Sequence, residues 1–313
     1  MKKVIIIDGN SLAYSRVPDS DKISTNSMWS SIDKRDIFIV RKFIKKILNF
    51  KFQNFVGYEI VIIFDEQNKH TFRHNIYKKY KCKSTSEKRR EQKDYVYKQI
   101  EEIKKILKKI NIPYYSSPYW EADDIIGMLV NKYEKNNYLI TIVSGDKDIL
   151  QLISDKTRVN FLKTNGKSIL ANRKNIWEIT GGLWPDQIIQ IKMLIGDSSD
   201  NIKGIGLLRE GKVDYWRTNE AIEHIQKWNN IDNMIQNINK IKEPYLQSLL
   251  RGKDKLFLNK KLVTIIKDWK IDIDFEYFLN NELDIAAIIE TINDLNLNNL
   301  TKNKKFKANL LRK

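Results

Sequence analysis

The chain has 313 residues, 42% of them hydrophobic, and carries 56 Lys+Arg against 39 Asp+Glu for a formal net charge of +17. That apolar fraction excludes disorder as the main state, and the lone cysteine, Cys82, excludes a disulfide framework and suits a reducing, cytoplasmic setting. The four apolar residues ahead of Asp8 are too few for a signal sequence or a membrane span, and the charge points to polyanions as partners.

In chain order, residues 4–7, 60–64 and 138–143 read as strands, being short runs of β-branched and aromatic residues apolar on both faces. Between them, residues 36–50, 94–110 and 122–133 repeat apolar positions at spacings of three and four, as helices do. Alternating strands and helices predict a parallel α/β sheet. Each strand runs into an aspartate: VIII into Asp8, IVIIF into Asp65, and LITIVSG into Asp146 and Asp148. In open parallel sheets the functional crevice lies at the carboxyl ends of the strands. One strand-end Asp alone is better read as a helix cap or turn residue; several on one rim are not. WEADDIIGMLV adds Glu121, Asp123 and Asp124 at a helix start, and IKMLIGDSSDNI adds Asp197 and Asp200.

The expectation is that all nine carboxylates meet in one pocket. Like charges brought that close must protonate or take up cations. Oxygen ligands with no His or Cys cluster select Mg²⁺ or Mn²⁺ over zinc; His70, His74 and His224 lie outside these motifs. Paired ions can activate a water and stabilise the leaving oxygen of a phosphodiester. Lysines in a Lys- and Asn-rich chain are individually uninformative, but residues 67–112 hold 15 Lys+Arg against 5 Asp+Glu, which places the basic charge.

The motifs IIIDGNSLAY, VIIFDEQNKHTFR with YKCK, YYSSPYWEADDIIG, TIVSGDKDILQL and LIGDSSDNIKGIG, in this order over residues 1–270, resemble those of the flap endonuclease and 5′-nuclease superfamily. The free-standing bacteriophage 5′-exonucleases and the 5′-nuclease domain of DNA polymerase I belong to it. The resemblance implies a PIN-like core over 1–180 with a helical arch at 67–112. It also implies a helix–hairpin–helix-type DNA-binding and helical region over 181–300, followed by a basic tail at 301–313. It assigns Asp8, Asp65, Glu121, Asp123 and Asp124 to a first metal group and Asp146, Asp148, Asp197 and Asp200 to a second. Arg73 and Lys81 match positions that contact the scissile phosphate, and Tyr80 is placed to stack on a terminal base. Where relatives carry a further basic residue this chain has Ser84, so Lys83 or Arg89 stands in. In the loop after Asp200, Lys203, Gly204, Gly206, Arg209 and Lys212 are assigned to phosphate binding, while its shortening argues against the K⁺ site of relatives.

The implied function is a structure-specific 5′-3′ exonuclease and flap endonuclease that removes RNA primers and 5′ flaps in DNA replication. It would be a monomer for a bacterium or bacteriophage, with branched, 5′-flap or RNA-primed DNA as substrate and a single-strand binding protein or clamp as an optional partner. A non-catalytic DNA-binding protein is disfavoured by the intact carboxylates, and a PIN-type ribonuclease by the 67–112 insertion and the GDSSDN segment. Trp216, Trp228 and Trp269 read as core, and the tail reads as a frayed, solvated end.

Overall fold

The computed structural model describes the chain except residues 16–36, 68–69, 83–85, 164–166, 210–211, 243 and 313, and except the side chains of 208, 209, 212 and 213. Its centre is a six-stranded sheet built from β1 (Lys3–Asp8), β2 (Glu59–Asp65), β3 (Tyr114–Ser117), β4 (Leu139–Ser144), β5 (Thr157–Leu162) and β6 (Ser168–Ala171). The spatial order is β3-β2-β1-β4-β5-β6. Neighbours are parallel except β5 and β6. The strand order reverses between β1 and β4, which makes their carboxyl ends the switch point where a crevice opens.

The helices flanking and extending the sheet are α1 (Gly9–Tyr14), α2 (Phe38–Asn49), α3 (Phe72–Ile76), α4 (Glu87–Lys109), α5 (Ala122–Lys135), α6 (Ile176–Thr180) and α7 (Pro185–Ile195). They continue as α8 (Thr218–Trp228), α9 (Ile231–Gln236), α10 (Tyr245–Arg251), α11 (Lys253–Val263), α12 (Ile285–Asp294) and α13 (Lys304–Leu311). Alternate residues of each central strand enter different cores, which is why the strands read as unbroken apolar runs. Ile5, Ile7, Ile60 and Ile62 pack under α2 and α4. Val4, Ile6, Val61 and Ile63 pack under α5, with Ile140, Ile142 and Ile265. A third core, including Leu194, Ile205, Trp216 and Ile225, belongs to the helical C-terminal half.

Three elements depart from expectation. Helix α4 begins at Glu87 rather than near residue 94. Its first two turns have no apolar stripe, but Glu, Lys, Arg and Gln are strong helix formers. They stand exposed on every side, beyond the core that Val96, Ile100, Ile103 and Leu107 enter. The tail is not frayed: α13 buries Phe306 and Leu310 in the first core, with the Phe306 ring 5.2 Å from that of Phe52 and Asn309 donating to the Phe52 carbonyl at 2.9 Å. Two apolar residues four apart were enough signal for a helix face. Finally, the region expected to be helical over 181–300 also holds strands, first the short antiparallel pair β7 (Gly196–Asp197) and β8 (Ile202–Lys203). Strands β9 (Gly206–Arg209) and β10 (Lys212–Tyr215) form a hairpin before α8.

Candidate active site

At the carboxyl ends of β1, β2 and β4 lies a cavity of about 340 Å³ lined by the side chains of Asp8, Asp65, Glu121, Asp123 and Asp146, with Lys81 as its cation. Asn10, Ser11, Tyr14 and Tyr97 complete its wall. Asp8 ends β1 and caps α1, accepting from the Ser11 amide at 2.9 Å and from the Ser144 hydroxyl at 2.7 Å. Asp65 ends β2 and accepts the Ala122 amide at 2.8 Å, so it caps α5 as well as facing the cavity. Asn10 accepts the Asp65 amide at 2.8 Å and fixes the two strand ends against each other. Strand-end carboxylates at a switch point thus serve both readings, capping and site, at once.

The electrostatics are lopsided. Burial, joined by the charges of Asp65 and Asp146, pushes the Asp8 carboxyl up to about 7 despite its two donors. Burial and the neighbouring Asp146, Asp8 and Asp65 push Asp123 well above the usual carboxylate range. Oxygen donors with this much mutual repulsion fit hard divalent cations. Among the described residues, no three His, Cys, Asp or Glu side chains already stand as a closed ligand set; Asp8, Asp65, Glu121 and Asp146 each accept from a nearby donor.

Lys81 enters the cavity on a strained turn. Its backbone has φ 51°, the left-handed region that non-glycine residues seldom adopt and that clusters at functional sites. The turn is held by the loop that follows α7: the Lys81 amide donates to the Asp200 carbonyl at 2.9 Å. Asn201 donates to the carbonyls of Lys79 at 2.7 Å and Cys82 at 3.1 Å. The Lys81 ammonium lies 3.0 Å from Glu121 and 3.8 Å from Asp200. Burial acts against its charge, but those two carboxylates hold it protonated.

Of the second group, Asp146 lines this cavity and Asp200 borders it through Lys81, whereas Asp148 and Asp197 share another lysine. Lys192, in the last turn of α7, donates to both Asp148 and Asp197, the latter at 2.5 Å. Burial raises Asp197, but Lys192 and Ser199 outweigh it and hold that carboxyl down at about 2. Burial and Asp146 push Asp148 up to about 6 although it shares the same ammonium. Asp200 accepts from the Tyr80 hydroxyl at 3.0 Å, and that hydroxyl also lies 3.0 Å from Glu121.

Several expectations are therefore corrected. Asp124 does not line the cavity: it is fully buried and held by Arg73, and it also accepts the Ile266 amide at 3.0 Å. Arg73 is not at the cavity either. It is 3% exposed, and besides Asp124 its guanidinium donates to the cavity carboxylate Glu121 at 3.4 Å and to the carbonyls of Leu262 at 2.8 Å and Thr264 at 2.9 Å. Its donors already have acceptors, so it locks α3 to α5 and to the end of α11. Tyr80 is 1% exposed, so its ring is core and only its hydroxyl reaches the site. Gly204 is required by packing: a Cβ there would sit 2.6 Å from the carbonyl oxygens of Leu194 and Ile195, and one on Gly196, which has φ 75°, would lie 2.4 Å from the Gly204 nitrogen. Arg89 lies in the exposed first turns of α4, Lys203 is exposed on β8 (Ile202–Lys203), and Gly206 opens β9. Lys83 falls outside the described residues, as do the side chains of Arg209 and Lys212, whose backbones are register partners in β9 and β10.

Sequence reasoning missed Asn10, Ser144, Asn201 and Lys192. For Lys192 the available signal, a basic residue in a last helical turn, is what the helix dipole alone would favour.

Residues 3–181 match the family model described as "5′-3′ exonuclease, N-terminal resolvase-like domain", and residues 183–286 match "5′-3′ exonuclease, C-terminal SAM fold". The chain belongs to the 5′-3′ exonuclease family. It is 34% identical over 282 residues to a 5′-3′ exonuclease of Buchnera aphidicola subsp. Schizaphis graminum, covering 88% of this chain and 90% of that one. It is 30% identical over 307 residues to the 5′-3′ exonuclease of Mycoplasma genitalium, covering 96% and 98%. It is also 28% identical over 300 residues to DNA polymerase I of Bacillus subtilis; the chain spans about a third of the length of the DNA polymerase I relatives. The T5 D15 protein crystallised with metal ions has the same fold, with a TM-score of 0.65, 18% identity and 99% of each chain covered.

Proposed function

We propose that this 5′-3′ exonuclease family member is a divalent-metal-dependent 5′-nuclease acting on 5′-flap, branched and RNA-primed DNA. The observation that carries the reading is the convergence of Asp8, Asp65, Glu121, Asp123 and Asp146 on one cavity into which a strained turn delivers Lys81. Those five carboxylates are the candidate ligands of one Mg²⁺ or Mn²⁺ ion. Asp148, Asp197 and Asp200 are the candidates for a second. When bound, such ions supply an activated water and neutralise the charge gathering on a phosphate under attack.

The chain's own residues do the rest. Lys81, charged and 38% exposed, is placed to donate to a phosphate oxygen while Glu121 and Asp200 orient it. Tyr80 and Asn201 hold that turn. The exposed, basic start of α4, including Arg89, and the exposed Lys203 supply sequence-independent phosphate contacts. The division of labour we propose is a nuclease core up to about residue 180 and a DNA-gripping helical region after it. No described helix is long and apolar enough to cross a membrane.

The test is cleavage of a labelled 5′-flap duplex with Mg²⁺, with Mn²⁺ and with chelator. Short 5′ products that require metal are expected. Tight binding without cleavage under any metal, or single-stranded RNA cut far better than the flap, would overturn the proposal.

A further inference from the structure

At the opposite end of the sheet, beside the starting residues of β1, β4 and β5, a cavity of about 630 Å³ presents Lys3, Lys156, Arg158, Arg173 and Lys174 with one acid, Asp155. Five of its twelve lining residues are basic, against 56 of 313 in the whole chain, so the Lys-rich composition does not account for it. Its charge balance is the inverse of the carboxylate cavity at the other strand ends.

Arg158 is the built element. Half-buried on β5, it donates from Nε to the Thr141 hydroxyl at 3.0 Å and from Nη2 to the Tyr58 hydroxyl at 3.1 Å. Both partners are neutral. A guanidinium carries five N–H donors, and one that is partly desolvated normally has a carboxylate. Among the described residues the five cations make one ion pair, Arg173 with Asp155 at 3.6 Å, both well exposed. The nearby acid Glu134 is engaged by the hydroxyls of Ser154 and Thr157, behind the wall. Lys3 lies over the Tyr58 ring, 5.5 Å from its centroid, and Lys156 reaches the Glu134 carbonyl at 3.2 Å. Like charges held this close repel one another unless an anion joins them.

We propose that this cavity binds a phosphate-bearing small molecule of nucleotide size. Arg158 is the pre-oriented anchor, Lys156, Arg173 and Lys174 complete the phosphate contacts, and Tyr58 stands beside them. The volume lies within the range of roughly 300–1,000 Å³ of ligand pockets. Nothing in this inference depends on the carboxylate cavity, so it stands or falls separately from the nuclease reading.

The test titrates the full chain, in chelator, with inorganic phosphate, pyrophosphate and dAMP, by calorimetry and by melting temperature. Saturable binding with about 1:1 stoichiometry is expected, at least tenfold weaker in Arg173→Glu/Lys174→Glu, whose exposed positions leave folding intact. Arg158→Met is expected to abolish it, and Asp146→Asn to leave it unchanged. Tighter binding of dAMP than of phosphate or pyrophosphate is expected, and equal response to all three would overturn the nucleotide-size assignment. It is overturned if no probe binds below 10 mM, taken as roughly the limit of specific recognition. It is also overturned if charge reversal leaves binding unchanged, or if it weakens duplex DNA binding alone, which would make the surface a DNA contact.

Discussion

Removing the Arg73 guanidinium is expected above all to make the protein unfold more easily, since its link to the cavity is a single 3.4 Å contact with Glu121. Arg73 and Asp124 are 3% and 0% exposed, so Arg73→Ala leaves a carboxylate buried with no cation. Breaking such a pair from one side costs about 3–5 kcal/mol. The carbonyls of Leu262 and Thr264 also lose their donor, at about 1 kcal/mol each. An unfolding entropy of about 2.1 cal/mol/K per residue makes each kcal/mol worth roughly 1.5 °C in a chain of this length, so the midpoint should fall by about 8–11 °C. Arg73→Lys should recover only part of that, because a point charge cannot serve the two sides of a carboxylate and two carbonyls together. Arg73→Met with Asp124→Leu should recover more, since the stranded charge is gone and only backbone groups remain unpaired. The assays are thermal unfolding of the four proteins and single-turnover flap cleavage at a temperature where all are folded. A variant Arg73→Ala that melts with the parent yet has lost cleavage would place the guanidinium on the phosphate and refute this assignment.

Other outcomes follow from the same geometry. Asp146→Asn should abolish cleavage while leaving flap binding equal or tighter, read by gel shift in chelator; near-parental cleavage would remove Asp146 from the metal site. Lys81→Ala should lower the single-turnover rate more than affinity, and a pure affinity loss would make it a general phosphate contact. Lys192→Met removes the cation shared by Asp148 and Asp197, so Mn²⁺ measured by calorimetry should bind the second position more tightly, unless the lysine is only a surface pair. Asp8, raised by burial to about 7, binds a proton in the folded, metal-free chain that the unfolded chain has lost above about pH 4. Its contribution to stability is therefore favourable at low pH and declines as pH rises from about 4 to 7. In chelator, Asp8→Asn should gain stability over the parent as pH goes from 5 to 8; parallel curves would contradict this.

How much was legible varies with the reach of each interaction. Strands β1, β2 and β4 and the positions of Asp8, Asp65 and Asp146 follow from local pattern, because a buried parallel strand is apolar on both faces and its end is marked by the first polar residue. Glu121 and Asp123 followed from their place at a helix start. The convergence of all nine acids did not hold, because identical side chains were sorted by partners far away in sequence. Arg73 takes Asp124 from 51 residues away, Lys192 takes Asp148 from 44, and the Tyr80 hydroxyl reaches Asp200 across 120. The resemblance puts Arg73 on the scissile phosphate and Tyr80 on a terminal base, yet both side chains are interior.

The amino-acid order alone determined the three central strands of the sheet, the helices packed on its two faces and the family, since these rest on periodicity and on motifs only a few residues long. Tertiary structure alone decided which acids stay available for cations and which are neutralised by a lysine or an arginine. Electrostatic pairing depends on distance in space, and no local pattern records which distant cation a fold brings within 3 Å.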